Sequence, residues 1–213
     1  MSLIDLVKSK VKDDSGRLTD DDDYSPAVAA ALAKYSKDRP GELVDDVNGA
    51  GTHDVDLPDG WVEGFSRVSS VEYPVGLVPE AYLPERDWRI YRGPDGPVLR
   101  LLREVPSIGS PVRVTITVPR VEADIVSGDL DAVGCLAASF CCETLANLFA
   151  QTSDPTIAAD VVNYRTKSGE FAARGKRLRQ LYLDHLGIDA DGGFPAASVK
   201  ASAPETDRVR LTH

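Results

Sequence analysis

The sequence predicts an α+β protein: a helical bundle with two long C-terminal helices, an antiparallel β-sheet of about five strands, and an extended C-terminal tail. Three observations predict it. Apolar residues recur at helical spacing up to about residue 41, alternate between 42 and 120, and return to helical spacing past Pro119. Val112, Val114, Ile116 and Val118 alternate strictly with Arg113, Thr115 and Thr117, which marks a half-buried strand. After Gly187 the chain turns rich in Gly, Ala, Ser, Pro and Asp, with few large apolar residues. Four regions follow: N-terminal helices (1–41), a sheet region (42–120), a helix pair packing with the N-terminal helices (121–187) and a tail (188–213).

Each element has a local reason. Ser2 opens a short helix over 3–12, with Leu3, Leu6, Val7 and Val11 on one side. The stretch Asp13 to Tyr24 reads as a loop, and Ser25 with Pro26 reads as the N-cap and first turn of a second helix. That helix ends at Asp38-Arg39-Pro40-Gly41, because proline removes an amide donor and disfavours helix in the residue before it. The turn-rich Asn48-Gly49-Ala50-Gly51 predicts a hairpin over 42–57, and alternation at Val68-Ser69-Ser70-Val71 predicts a third strand. Two more strands flank Gly93-Pro94-Asp95-Gly96, within 87–103. Leu130, Val133, Ala137, Phe140, Leu145 and Leu148 then share a helical face, and Gly134, Ala138 and Cys142 leave another shallow enough for close helix contact. Asp154 and Pro155 start a helix of about 30 residues to Leu186, with a seam through Ile157, Val161, Tyr164, Phe171, Leu178, Leu181 and Tyr182.

Composition limits function. The chain has 213 residues, 42% of them hydrophobic, which suits one domain with an appendage or two small ones. Its formal net charge of -10 is the opposite of what a phosphate-binding surface needs, so wrapping of DNA is disfavoured. The longest apolar run, Ala132 to Cys142, stops at Glu143, short of a membrane span, and the N-terminal residues show no secretory signal. The expectation is a protein made and kept in a reducing cytoplasm, or in a particle assembled there.

No motif for catalysis or cofactor binding emerges, and no catalytic residue, metal ligand or cofactor is expected. Cys135, Cys141 and Cys142 fall within eight residues of one helical pattern, with no second pair to make a disulfide framework. They are expected as buried packing residues. The histidines, His53, His185 and His213, are not at zinc-finger spacing. Gly64-Phe65-Ser66-Arg67 lacks the glycine after the serine of a nucleophile elbow, and no phosphate-binding glycine loop is present. Consecutive Asp20 to Asp23 cannot all point at one calcium ion, so an acidic loop beside a helix N-terminus is the better account.

Charge is uneven. Residues 1–60 hold 14 acidic and 7 basic residues, whereas 155–186 hold 6 basic and 3 acidic. Arg165, Lys167, Arg174, Lys176, Arg177 and Arg179 surround the apolar seam of the last helix. Either they form a solvated face with a few ion pairs, or copies pack head to tail with acidic against basic surfaces. Arg165, Lys167, Arg174 and Arg177 are the candidates for such an interface. The last residues alternate as well, Val209 and Leu211 between Arg208, Arg210 and Thr212, the pattern of a strand that adds to a partner's sheet.

Three strings taken together carry a resemblance: YSPAVAAALAKYSKDRP (24–40), GWVEGFSRVSSVEYPVG (60–76) and FAQTSDPTIAADVVNYRTKSGEFAARGKRLRQLY (149–182). They resemble the head-tail connector (adaptor) proteins of tailed double-stranded DNA bacteriophages, over about residues 1–187, most specifically at TSDPTIAADVVNYRTKS. The resemblance implies a virion structural protein at the neck, forming a homo-oligomeric ring, commonly of twelve subunits, beneath the portal protein. It further implies a bundle of helices with a β element, extension of the DNA channel, and a docking platform for stopper or tail-completion proteins. A C-terminal segment that attaches to the portal would assign Arg208, Val209, Arg210 and Leu211 to portal binding. Double-stranded DNA would pass through without sequence-specific binding, and no membrane is involved. The alternative is a small hydrolase or glycan-binding accessory using aromatics on the sheet face, Trp61, Tyr73, Trp88 and Tyr91. A stopper or tail terminator is a third possibility, disfavoured by the two long C-terminal helices.

Overall fold

The computed structural model describes residues 2–151 and 164–188. The protein is α+β, with four helices and six strands: α1 Leu3–Val11, α2 Ser25–Asp38, β1 Gly41–Asn48, β2 Asp54–Val55, β3 Val68–Glu72, β4 Trp88–Gly93, β5 Gly96–Leu101, β6 Pro111–Val118, α3 Leu130–Gln151 and α4, described over Tyr164–Leu186. The chain divides into two compact units, one made of residues up to Tyr24 and from Gly128 onward, the other of Ser25–Ser127.

In the first unit α1 begins at a capping box. Ser2 Oγ accepts the Asp5 amide at 3.2 Å, while Asp5 returns a carboxylate to the Ser2 amide at 3.1 Å. The buried side of α1, Leu3, Val7 and Val11, lies against α3. Close approach is built in by glycine: a Cβ on Gly134 would sit 2.7 Å from Leu6 Cδ2, and one on Gly175 of α4 would sit 3.1 Å from the Ser139 carbonyl of α3. The small residues Ala137, Ala138, Cys141 and Cys142 are buried as predicted.

Helix α3 is longer and more apolar than the sequence run suggested. Glu143 interrupts the run without ending the helix, which continues through Leu145, Ala146, Leu148 and Phe149. By length and composition it is apolar enough to cross a membrane, yet 67% of its most apolar window is buried inside the protein. Helices α1 and α4 cover it, which accounts for its hydrophobicity as a core element.

The expected loop from Asp13 to Tyr24 is only half a loop. Asp20–Tyr24 forms a π-helical turn that runs straight into α2, and the entry is capped earlier, at Thr19. Its amide donates to the Asp23 carboxylate at 2.9 Å, and its hydroxyl accepts the Asp22 amide at 3.2 Å. The sequence signature at Ser25-Pro26 therefore lies inside the helical run and not at its start. The acidic side chains do sit at the N-terminal end of a helix, where its dipole favours them.

In the second unit the single five-stranded sheet resolves into two three-stranded antiparallel sheets, ordered β1-β6-β3 and β2-β5-β4. The predicted hairpin over 42–57 does not form. Strand β1 pairs instead with β6, Leu43 opposite Ile116, and β2 pairs with β5, Val55 opposite Leu99. The turn-like Asn48–Gly51 carries the chain from one sheet to the other, with the Gly49 amide donating to the Ser110 carbonyl at 2.8 Å. Only glycine fits at 49, because a Cβ there would meet Pro106 Cβ at 2.6 Å and the Ser107 carbonyl at 2.7 Å. The β4–β5 hairpin closes where predicted, with Gly93 opposite Gly96. Between the sheets lies one apolar cluster, Val55, Val71, Leu99, Leu101, Val112, Val114 and Ile116, all essentially inaccessible. Helix α2 belongs to this unit, and its end is tied to the segment after β6: the Arg120 amide donates to Ser36 Oγ at 2.9 Å and its Nε to the Arg39 carbonyl at 2.8 Å.

Candidate functional site

The sequence-predicted interface residues sit on α4, where three arrangements occur. The inward side, Phe171, Gly175, Leu178 and Tyr182, packs toward α3, with the Phe171 ring stacked on Phe149 at 5.5 Å between centroids. Several basic residues flank that seam and are engaged within the unit. Arg174 donates to the Val11 carbonyl at 2.8 Å, Lys167 Nζ lies 5.6 Å from the Phe149 ring centroid, and Arg179 pairs with Glu143 at 3.5 Å. Arg177 and its neighbour Lys176 occupy the outward side, exposed and with no ion-pair partner among the described residues. Arg165 lies on α4, but its side chain falls outside the described set, as do Arg208, Val209, Arg210 and Leu211 and the TSDPTIAADVV part of the most specific resemblance. Thus Arg177 has no ion-pair partner among the described residues, whereas Arg174 ties α4 to the end of α1.

Sequence reasoning missed one tie in this unit. His185, late on α4, has its Nε2 3.0 Å from Asp129 Oδ1, and that carboxylate is 4% exposed. Asp129 also accepts the Val133 amide through its carbonyl, so it joins the start of α3 to the end of α4. The partners are 56 residues apart, and no local pattern signals them.

The alternative site, the aromatic sheet face, is accounted for by packing. Trp61, Tyr73 and Trp88 are partly buried against the inter-sheet cluster, and Tyr91 has the Arg100 guanidinium stacked 3.6 Å from its ring centroid. A cleft of about 410 Å³ opens beside Trp61, Phe65, Val68, Ile90 and Pro97, but its one carboxylate, Glu63, is paired with Arg92 at 3.4 Å. Two convergent carboxylates, the arrangement that hydrolysis of a glycosidic bond uses, are not brought together in it. Near His53 a shallower hollow is lined by Thr52, Asp54, Arg100 and Leu101. There the His53 Nδ1–H donates to the Leu101 carbonyl at 2.9 Å, and Asp54 is held by Arg100 through two bonds of 2.6 and 2.7 Å. The Arg100 hydrogen bonds hold the Asp54 carboxyl below the usual carboxylate range, and Arg113 does the same for Asp46. Among the described residues no group of three His, Cys, Asp or Glu side chains is placed to hold a metal ion.

The cysteines are free and buried. Burial pushes the Cys141 thiol up to about 12 and the Cys142 thiol up to about 11. Because the thiolate is the reactive form, the folded protein is expected to be inert toward an aromatic disulfide reagent at mildly alkaline pH and to react only after denaturation. Fast labelling of Cys141 or Cys142 in the native state would contradict this placement.

No family model matches the chain, and no curated protein sequence is similar to it. Among solved structures, a chain of the neck of a native GTA particle computed with C12 symmetry is 15% identical, covers 70% of this chain and 80% of its own, and superposes with a TM-score of 0.27. A chain of the neck of an empty GTA particle computed with C6 symmetry is 15% identical over 80% of this chain and 88% of that one, TM-score 0.30. One from the virion of a native gene transfer agent particle is 14% identical with the same coverage and TM-score. At such scores the likeness is loose.

Proposed function

We propose that the chain is a structural subunit of a phage-type particle neck: an adaptor that forms a ring beneath the portal protein, extends the DNA channel and offers a platform to stopper or tail-completion proteins. The observation that carries this reading is the division of α4 into an inward seam packed on α3 and an exposed basic outward face at Lys176 and Arg177 with no ion-pair partner among the described residues, on a chain of net charge -10. Segregated charge of this kind favours head-to-tail contact between copies, which closes into a ring. The resemblance of residues 24–40, 60–76 and 149–182 to connector proteins supports it. In this reading the ring has twelve subunits, is assembled in the host cytoplasm, and resides in the virion neck. DNA slides through without being read, since a net negative wall repels it weakly. Arg165 and Arg177 serve the contact between copies, and the tail, through Arg208, Val209, Arg210 and Leu211, grips the portal, gaining from repetition around the ring.

Native mass spectrometry of the full chain, alone and mixed with a portal protein encoded beside it, tests this. The expected result is a weakly associated free protein and a ring with one copy per portal subunit. Ile188 is buried, so the informative truncation removes 189–213 and leaves it in place. That truncation is expected to keep the thermal transition of the full chain and to abolish portal binding. Retained binding would remove the tail from the portal contact, and no ring under either condition would end the neck reading.

A further inference from the structure

The two sheets of the second unit each end in an unpartnered strand, and the two ends carry opposite charge. Among the described residues strand β1 pairs only with β6, and β4 only with β5. Because the Gly49 amide donates to Ser110, the alternation of the antiparallel ladder turns the backbone groups of Glu42, Val44, Asp46 and Asn48 outward. The Leu102 amide donates to Asp87, so on β4 the outward groups belong to Trp88, Ile90 and Arg92. No backbone hydrogen bond from another segment reaches these residues of β1 among the described residues, and Glu42, Val44, Asp46 and Asn48 are all exposed. Val44 is 56% exposed, an apolar side chain in the middle of an acidic strand.

Open edges of this length are templates for pairing, and natural proteins cover them or charge them. Here the charges select the partner. Glu42, Asp45 and Asp46 lie on β1 with no basic residue, and Arg89 and Arg92 on β4 with no acidic one; Asp46 is already held by Arg113 and Arg92 by Glu63, so Glu42 and Asp45 against Arg89 are the charges left to select the partner. Two β1 edges repel each other, as do two β4 edges; only β1 against β4 brings opposite charges together. We propose that the β1 edge of one copy adds to the β4 edge of the next, so that neighbouring copies share a continuous sheet. This rests on the ring reading and gives it a backbone-paired contact between copies. A contact between two different surfaces is heterologous and propagates in one direction, and a ring needs that property where a two-fold dimer does not. The complementarity holds for either strand direction. Parallel addition places Glu42, Val44 and Asp46 on the same face as Arg89 and Tyr91, and antiparallel addition places them on the face of Ile90 and Arg92, beside the cleft at Trp61 and Phe65.

Disulfide trapping in the full chain tests the pairing, because the native cysteines are buried and do not compete. Val44→Cys is mixed with Arg89→Cys or with Arg92→Cys under mild oxidation, both free in solution and on the portal-bound ring. The expected result is a mixed dimer far in excess of either like-with-like dimer, with the better of the two β4 positions reporting strand direction. Glu42→Lys with Asp45→Lys is expected to slow trapping about fivefold, and Arg→Glu at whichever of 89 and 92 does not carry the cysteine is expected to restore it. Like-with-like dimers as abundant as mixed ones overturn the proposal. So does a self-associated sample without the cross-link, or preferential trapping of Val44→Cys by a cysteine placed at 209 in the tail. A ring on the portal that lacks the cross-link leaves the neck reading standing, whereas no ring at all ends both.

Discussion

Tyr182→Ala is expected to cost about 3 to 5 kcal/mol of folding stability, the largest single effect in the first unit. The side chain is fully buried on the side of α4 that also carries Gly175, seven residues before it and in contact with α3. Removing the ring leaves a cavity that the close-packed helices cannot collapse into, because Gly175 already holds the α4 backbone against the Ser139 carbonyl and Cys142. Helix α4 is otherwise polar, and without this anchor few apolar groups hold it in place. Urea unfolding followed by far-UV circular dichroism measures the loss. Tyr182→Phe, which keeps the ring, is expected to cost about 1 kcal/mol. A loss for the alanine variant no larger than that for phenylalanine would show that the ring is not what holds the helix.

The second large effect is expected in the other unit, where Ile116→Ala should cost about 2 to 5 kcal/mol. Ile116 is on β6, the strand paired on both sides, opposite Leu43 of β1 and Val68 of β3, and its side chain is inaccessible in the inter-sheet cluster. Both tryptophans of the chain, Trp61 and Trp88, pack against that cluster. Their fluorescence therefore reports this unit directly. Midpoint and slope of the fluorescence transition in urea give the change; an unshifted midpoint would mean that the cluster is not the core of the unit. Thr115→Ala, on the same strand, is expected to have a much smaller effect, since Thr115 stands on the opposite face from Ile116.

Local signals were legible where structure is local. The Ser2 cap, the β4–β5 turn at Gly93–Gly96, the alternation of β6 and the apolar face of α3 each follow from residues within one or two turns of one another. What the sequence hid is pairing over distance. Asn48-Gly49-Ala50-Gly51 has the composition of a hairpin turn, yet Gly49 is there because Pro106 and Ser107 come within reach of it, more than fifty residues further on. Two sheets look like one in sequence, because strands facing a shared core from opposite sides alternate identically. The entry to α2 was legible but misplaced: Thr19-Asp20-Asp21-Asp22 is itself a threonine followed three residues later by an acid, the capping pattern that Ser25-Pro26 obscured. For the candidate interface, the basic residues of α4 were visible and their division was not. Arg174 finds its acceptor at Val11, 163 residues away, so only the folded arrangement separates it from Arg177. The open edges of β1 and β4 are likewise a property of topology, since nothing within either strand says which side will be left unpaired.

The cover of α3 comes from both ends of the chain, and this sets an order in time. Protein synthesis delivers α1 first, then the whole second unit, then α3, and α4 only at the end. While the ribosome is still adding the residues after Gln151, the nascent chain displays a helix with the hydrophobicity of a bilayer span and only one of its two shields. Truncated products ending between α3 and α4 would present the same bare surface permanently. Such fragments are expected to be captured by chaperones, to aggregate or to partition onto lipid, so that α4 is also the helix that shields α3 in the newborn protein.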